Sequence, residues 1–201
     1  MKFSHSIKRF WYFLNKDTWQ SWLVSLVLIV ALIKLVFFPL LSLITGSSLP
    51  LVVVDSCSMY HESIFEEWWS KNAEWYEAKD IEKKDFSSFP LKNGFNKGDI
   101  IFVWKETEPK IGDIIIFKAN PEADAKLPII HRVVSTNPTA TKGDHNTRQL
   151  TITNNEQGID ETSIKKEDIV GKAVFKIPMI GWVKLIFFEP FKPQQQRGFC
   201  I

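Results

Sequence analysis

Three short stretches of the chain carry side chains that could act together in nucleophilic catalysis. The first contains Ser58, directly after an apolar run; the second places His131 within the apolar residues 129–134; the third, residues 141–146, contains a Gly-Asp pair with Asp144. A serine hydroxyl becomes an effective nucleophile when a neighbouring base removes its proton, and histidine, with an unperturbed pKa of about 6.5, suits that task near neutral pH. We therefore predict Ser58 as nucleophile and His131 as general base.

Other groups are expected to support this pair. An ionised carboxylate on the far ring nitrogen would fix the tautomer of His131, and Asp144 is the natural candidate. If Ser58 lies in a strand, alternation places Ser56 on its face and turns Cys57 to the other. The backbone N–H of Ser58 is a candidate oxyanion donor. By alternation alone, Ser56 could equally be a solvent-facing strand residue.

Competing nucleophiles and bases are weaker. Cys57 with His61 or His131 would make a cysteine peptidase, but a thiol turned away from Ser58 is better interpreted as a buried core thiol. We expect His61 at the surface and Lys142 in a solvated turn, where its pKa would not be lowered. His145 could cap backbone groups or bind substrate.

The pattern of short apolar runs bounded by turn residues predicts a mainly β fold, a partly closed antiparallel sheet assembly. Two of the strands begin with a Gly-Asp turn, at Asp99 and Asp113. Residues 62–84 differ, because their apolar positions recur at helical spacing and predict one or two amphipathic helices. These helices could cover the sheet or form an interfacial flap. The predicted strands lie near residues 51–57, 100–105, 113–118, 129–136, 148–153 and 169–177.

Residues 22–44 form an apolar run long enough to cross a bilayer as a helix. Lys34 could snorkel to an interface, and Pro39 is tolerable near a helix end. Basic residues precede the run and none follows until Lys71, which predicts a cytoplasmic N-terminus. The alternative is a cleaved secretory signal.

These features give a domain organisation. Residues 1–21 are predicted to form a cytoplasmic basic and aromatic tail, residues 22–45 a transmembrane anchor, and residues 47–201 an extracytoplasmic β-rich domain. Within that domain we expect an insertion at residues 60–97 and an apolar, membrane-proximal segment at residues 177–191. That segment is too short to span a bilayer and could lie against the outer leaflet or pack on the sheet.

The composition of the chain argues against some classes of partner and cofactor. A net charge of +2 offers no basic stripe of the sort that phosphate backbones require, so nucleic acid is not expected as a partner. Cys57 and Cys200 are too few for a disulfide framework and lack the spacing of a zinc site, and they do not fix the redox compartment. The sequence suggests neither a metal nor an organic cofactor.

Taken together and in this order, the motifs resemble the archaeal and endoplasmic-reticulum branch of the signal peptidase I family. The resemblance implies Ser58 as nucleophile, His131 where the bacterial branch has a lysine base, Asp144 as acidic support for the histidine, and the Ser56 hydroxyl as a second oxyanion donor. It also implies a signal-peptidase-like core of coiled antiparallel sheets. The motifs that carry it lie at residues 50–59, 97–102, 111–117, 130–133, 141–146, 170–172 and 178–181.

The family's activity sets the functional expectation: a membrane-bound serine endopeptidase that cleaves after small residues at the end of an exported protein's signal peptide. The expected partners are signal peptides and the lipid bilayer, with the protein-export channel as a further candidate. One departure stands out, because the family often has a second aspartate shortly after the first, whereas residues 147–153 contain no acid. Asp160 could supply it. Alternatively, the chain is a noncatalytic membrane-tethered β-domain subunit of a secretion or processing complex.

Overall fold

The computed structural model describes residues 2–125 and 127–200, and the chain divides into two compact units between Ile44 and Thr45. The first unit begins with helix α1 (Lys2–Leu14), followed by α2 (Trp19–Leu32), whose first turn is capped by Thr18. A π-helical turn (Ile33–Phe37) continues α2 into α3 (Phe38–Thr45).

One helix in the described chain, Trp19–Thr45, is long and apolar enough to cross a membrane by length and composition. The predicted N-terminal apolar helix is therefore confirmed, and it begins three residues before the predicted anchor. The π-helical turn ends two residues before Pro39, and such local widening is one way in which a membrane helix accommodates the missing proline N–H.

The second unit is built on a six-stranded sheet in which all neighbouring strands are antiparallel. The order across the sheet is β1-β2-β6-β3-β4-β5. The predicted mainly β fold, with an N-terminal apolar helix and a helical insertion, is confirmed. The strands are β1 (Leu51–Val53), β2 (Ile100–Trp104), β3 (Ile114–Phe117), β4 (Ile129–Thr136), β5 (Thr139–Lys142) and β6 (Ile169–Ile177).

The central strand of the sheet is buried on both faces. In β3, Ile114 and Ile116 pack into a cluster with Phe95, while Ile115 and Phe117 join a second cluster on the other face. This follows from strand geometry, since successive side chains point to opposite faces. All four residues of β3 are fully covered, as expected for a central strand without polar positions.

The helical insertion comprises α4 (Phe65–Glu77) and α5 (Lys83–Ser88), the latter begun by a capping box. Its aromatic residues are buried and pack against Val134 of β4 and Ala140 of β5. The burial supports the interpretation that these helices cover the sheet. The buried members are Trp68, Trp69, Tyr76 and Phe86.

Two strand predictions differ from the structure. Residues 148–153 do not form a strand, because side chains satisfy their backbone: Glu161 accepts the N–H of Leu150 and Asn154 that of Thr151. The sheet edge is instead β5, a short segment after the Asn137–Pro138 turn that was not predicted.

The two Gly-Asp turns have the predicted role. Asp99 accepts the N–H of Asn96 at 3.0 Å, and Asp113 accepts that of Lys110 at 2.9 Å. The preceding Gly98 has a φ of 90°, in the left-handed region that favours glycine. A strand of the sheet begins directly after each turn.

Short helical pieces follow β6: α6 (Trp182–Leu185) and 3₁₀ turns at Glu189–Phe191 and Gln194–Gln196. Another 3₁₀ turn, Lys166–Asp168, precedes β6.

Candidate active site

Ser58 lies in a tight turn after β1. The strand ends at Val53, earlier than predicted, and the turn is closed by a hydrogen bond from the N–H of Tyr60 to the carbonyl of Cys57 at 3.0 Å. The hydroxyls of Ser56 and Ser58 are 3.2 Å apart. The two serines therefore do share one side, as predicted, but a turn rather than strand alternation brings them together.

His131 is held rigidly in β4, where it is opposite Ile115 of β3 and only 3% exposed. Its Nδ1 is hydrogen-bonded to the carboxylate of Glu161. Its Nε2 is on the side of Gly143 and Ser58. The described hydrogen bonds of the imidazole use Nδ1 alone, which leaves Nε2 available to exchange a proton.

Gly143 marks the point where the nucleophile turn and the histidine meet. A Cβ placed on Gly143 would lie 2.7 Å from the carbonyl oxygen of Ser58 and 2.8 Å from Nε2 of His131. The carbonyl oxygen of Ser58 and Nε2 of His131 are therefore close to each other, because both lie within 3 Å of the same point. The N–H of His145 also donates to the carbonyl of Ser58 at 2.9 Å, which fixes the two turns to each other.

The Ser58 hydroxyl is hydrogen-bonded to Ser56, and no described hydrogen bond joins it to His131. Without substrate, nucleophile and base are often not yet in hydrogen-bond contact, and the contact tightens when substrate binds. Proton transfer in this arrangement would require the hydroxyl of Ser58 to turn from Ser56 towards Nε2.

Glu161 was not predicted as a site residue. It is fully buried, and its carboxylate also accepts the hydroxyl of Thr141 at 3.2 Å and the N–H of Leu150 at 2.7 Å. Its backbone carbonyl accepts the N–H of Thr141 in β5 at 2.9 Å, so the residue is aligned against the sheet edge. Neighbouring Asp160 instead accepts the N–H and hydroxyl of Thr162.

Asp144 contacts a different set of groups from the one predicted. Its carboxylate accepts hydrogen bonds from Arg132 at 2.7 and 2.9 Å and from Tyr76 at 3.2 Å, and is 3.0 Å from Nε2 of His61. The structure thus places neither Asp144 nor Asp160 on the imidazole of His131. The reason is geometric: adjacent strand residues face opposite ways, and Asp144 is on the side of Arg132.

Arg132 is the centre of this buried network. All five of its N–H groups are used, two for Asp144 and three for the carbonyls of Pro90, Leu91 and Gly112. Burial alone would raise the pKa of Asp144, but the positive charge of Arg132 and the bond with His61 outweigh it and hold that pKa well below its usual range. Asp144 therefore stays ionised, and it fixes β4 to the turn that carries Gly143.

Two further expectations need correction. His61 is buried rather than at the surface: it stacks on Trp68 at 3.8 Å, and burial lowers its pKa against the opposing effect of Asp144. Lys142 is also buried, and burial lowers its pKa to about 8 although Asp144 and Glu161 favour its charge. Its ammonium group lies over the Tyr76 ring at 4.8 Å and donates to the carbonyl of Gly143 at 3.1 Å.

Cys57 is not a free thiol. It forms a disulfide bond with Cys200, 143 residues away, with the Cα atoms 5.6 Å apart. The expectation of a buried core thiol was therefore wrong. The cysteine-peptidase alternative also fails, because a cysteine in a disulfide cannot act as the nucleophile. Spacing along the chain could not reveal this pair, because its members meet only through the folded sheet. No group of three or more potential metal-ligating side chains occurs in residues 2–125 and 127–200.

Known proteins with similar sequences share one description. The chain is 32% identical over 111 residues to "Signal peptidase complex catalytic subunit SEC11" of Candida tropicalis, covering 49% of this chain and 61% of that protein. The protein of the same name from Penicillium rubens is 32% identical over 108 residues, covering 49% and 58%. That from Candida albicans is 30% identical over 112 residues, covering 49% and 61%. No protein-family model matches the chain.

These matches confirm the resemblance to signal peptidases that the sequence motifs indicated. The chain spans about three fifths of the length of the curated relatives it matches.

Proposed function

We propose that this chain is a membrane-anchored serine endopeptidase that removes signal peptides from exported proteins. One observation carries the proposal: the main-chain carbonyl of Ser58 and Nε2 of His131 both lie against Gly143, while a buried carboxylate occupies the other nitrogen of the imidazole. The similarity to signal peptidase catalytic subunits supplies the substrate class.

In the proposed mechanism, Nε2 of His131 accepts the proton of Ser58 as the serine oxygen attacks the scissile carbonyl. Glu161 accepts a hydrogen bond from Nδ1–H, which fixes the tautomer and stabilises the imidazolium. The imidazolium then donates its proton to the leaving amine, and an acyl-serine results. Water, activated by the same histidine, hydrolyses that ester and releases Ser58.

The negative charge that forms on the substrate oxygen needs donors that are already in place. The N–H of Ser58 is suitable, because no described hydrogen bond uses it. The hydroxyl of Ser56, 3.2 Å from that of Ser58, is suited to the second position. We assign these two groups to the oxyanion site.

The proposal extends to location and partners. The apolar helix Trp19–Thr45 would act as the anchor, with the residues that precede it in the cytoplasm and residues 47–201 outside. The orientation follows from the basic residues that precede the helix, and the substrates would be signal peptides delivered through the protein-export channel. A disulfide is in keeping with this orientation, since such bonds persist in oxidising compartments.

The noncatalytic alternative depended on the absence of an acid shortly after Asp144. Glu161 supplies a carboxylate of that kind, because it contacts His131 although it lies later in the chain. The catalytic proposal is therefore the better supported of the two.

The decisive experiment uses the full-length protein in detergent and a preprotein with small residues before its cleavage site. We expect Ser58→Ala and His131→Ala each to abolish cleavage, and a serine-reactive phosphonate to label the wild type but not Ser58→Ala. Ser63→Ala and His5→Ala are matched controls that should retain activity. Circular dichroism would establish that all variants are folded. Full activity in either active-site variant would refute the proposal.

A further inference from the structure

The residues that lead into Ser58 have few contacts with the sheet. The main-chain bonds that continue β1 end at Val54, which pairs with Gly98 and Asp99. From residue 55 to residue 58, no main-chain N–H donates a hydrogen bond in the described part of the chain. The stretch that precedes the proposed nucleophile therefore needs restraints from elsewhere.

The bond from the N–H of His145 restrains Ser58 itself, and residues 189–200, which we call the brace, restrain the residues before it. Cys200 is bonded covalently to Cys57, the neighbour of Ser58. The ammonium group of Lys192 forms an ion pair with the carboxylate of Asp55 and donates to the carbonyl of the same residue at 3.2 Å. The brace thus holds both the main chain and a side chain of the stretch at two points.

The brace is itself firmly attached. Glu189 accepts from the ammonium group of Lys97 at 2.9 Å and pairs with Lys192 at the same distance, and Lys97 also donates to the carbonyl of Gln196 at 2.7 Å. The Lys97 side chain is only 1% exposed. Burial would raise the pKa of Glu189, but these two lysines outweigh it and lower the pKa to about 2. The ion pairs therefore persist throughout the neutral pH range.

We propose that the brace positions Ser58 for catalysis, with Cys200 and Lys192 as positioning residues. The inference rests on the proposed function. The stretch held by the brace carries the nucleophile and both proposed oxyanion donors, and a displacement of about 1 Å at such groups can cost a hundredfold in rate. Peptidase activity consequently depends on the oxidation state of the Cys57–Cys200 bond.

The chain offers a specific test, because its 2 cysteines are both in this bond. Full-length protein in detergent is assayed oxidised, after reduction with a phosphine, and after re-oxidation, at a temperature where all forms are folded. We expect reduction to lower kcat by roughly tenfold to a hundredfold with KM within about twofold, and re-oxidation to restore it. Cys200→Ala should have the low kcat from the start and should not respond to the phosphine.

A second set of variants leaves the disulfide intact. Lys192→Met should lower kcat at unchanged KM, while Lys192→Arg, which keeps the charge for Asp55, should recover most of the activity. Lys166→Met is the matched control, because Lys166 forms an exposed ion pair with Glu108. If reduction unfolds the protein, the Lys192 variants decide the question.

The outcomes separate the two proposals. If oxidised wild-type protein neither cleaves a preprotein nor reacts with the phosphonate at Ser58, the proposed function fails. If it is active, but reduction leaves kcat unchanged and the methionine and arginine variants at residue 192 are equally active, the brace has no positioning role.

Discussion

Two buried carboxylates near the proposed catalytic pair have different partners and, we propose, different tasks. Glu161 contacts the imidazole of His131 directly, whereas Asp144 is bound to Arg132 and contacts the site only through the turn at Gly143. Glu161 would assist proton transfer by His131. Asp144, bound to Arg132, would maintain the geometry of the turn at Gly143.

We predict that Glu161→Gln lowers kcat by about 10³- to 10⁴-fold, because an amide can neither fix the productive tautomer nor stabilise the imidazolium as a carboxylate does. The thermal midpoint should change little, since the amide oxygen can still accept from Leu150 or Thr141. Single-turnover cleavage assays with the folded variant would measure the effect.

Asp160→Asn is the matched control for that substitution. Asp160 is next in the chain, but in the described residues its carboxylate accepts hydrogen bonds from Thr162 alone, and its N–H donates to Asn120. Its substitution should therefore leave kcat within about threefold. A Glu161→Gln variant as active as Asp160→Asn would remove Glu161 from the mechanism.

The prediction of Ser58, His131 and Ser56 as a group depended on residue types, on their order and on the family resemblance, and the structure places the hydroxyls of Ser56 and Ser58 3.2 Å apart. The carboxylate that contacts His131 could not be predicted. Residues 147–158 separate Asp144 from Glu161, and only the folded structure shows which carboxylate lies beside the imidazole. One signal was present: Asp160 and Glu161 are adjacent, and in an extended segment only one of two neighbours can face the sheet.

At the level of elements, the turn after β5 shows why a glycine is required there. Gly143 has no Cβ, so the carbonyl of Ser58 and Nε2 of His131 can both approach its Cα side. The buried Asp144–Arg132 pair on one side and the His145–Ser58 hydrogen bond on the other fix the turn in this position.

We predict that Gly143→Ala lowers kcat at least a hundredfold, because the new methyl group would overlap both approaching atoms and separate nucleophile from base. The expected loss of stability is smaller, about 1–3 kcal/mol for an overpacked site. Phosphonate labelling and thermal denaturation would measure the two effects separately.

Gly158→Ala is a suitable comparison for the loss of glycine. Its Cβ would meet nothing closer than 4.0 Å, although its φ of 64° makes alanine somewhat strained. It should therefore lower stability modestly and leave labelling unchanged. Equal labelling of the two variants would mean that Gly143 does not separate the catalytic groups.

Most strands were predictable because their apolar runs are bounded by turn residues whose role is local, such as Asp99 and Asp113, which directly precede β2 and β3. The failures were at the sheet edge. β5 is a short Thr-rich segment with no apolar pattern of its own, and residues 148–153 look like a strand but bond with side chains instead.

On the scale of the whole molecule, the exposed large apolar side chains of the described residues are concentrated in three places: helix α1, the helix Trp19–Thr45 and the predicted membrane-proximal segment 177–191. In that segment Leu185 is buried, whereas its neighbours Phe187, Phe188 and Phe191 are 68%, 54% and 87% exposed. Large exposed apolar patches mark interaction or membrane surfaces. We propose that this segment enters the lipid headgroup region.

We predict that replacing Phe187 and Phe188 together by serine lowers kcat/KM about tenfold in liposomes and less than twofold in detergent. A tenfold effect corresponds to about 1.4 kcal/mol, as expected for two side chains only partly buried in lipid, since full burial would contribute about 1.5–3 kcal/mol each. The comparison of the two media is the control, since a folding defect would appear in both. Equal losses in liposomes and detergent would contradict a lipid contact.

The excursion between β5 and Glu161 has a practical consequence. Residues 151–157 bulge from the sheet edge, while Leu150 and Glu161 on either side of them are joined by hydrogen bonds. These hydrogen bonds close the bulge at its base, so the number of residues in the bulge can change without moving Glu161. An epitope or fluorophore-binding peptide inserted into its tip should therefore leave the contact between Glu161 and His131 in place.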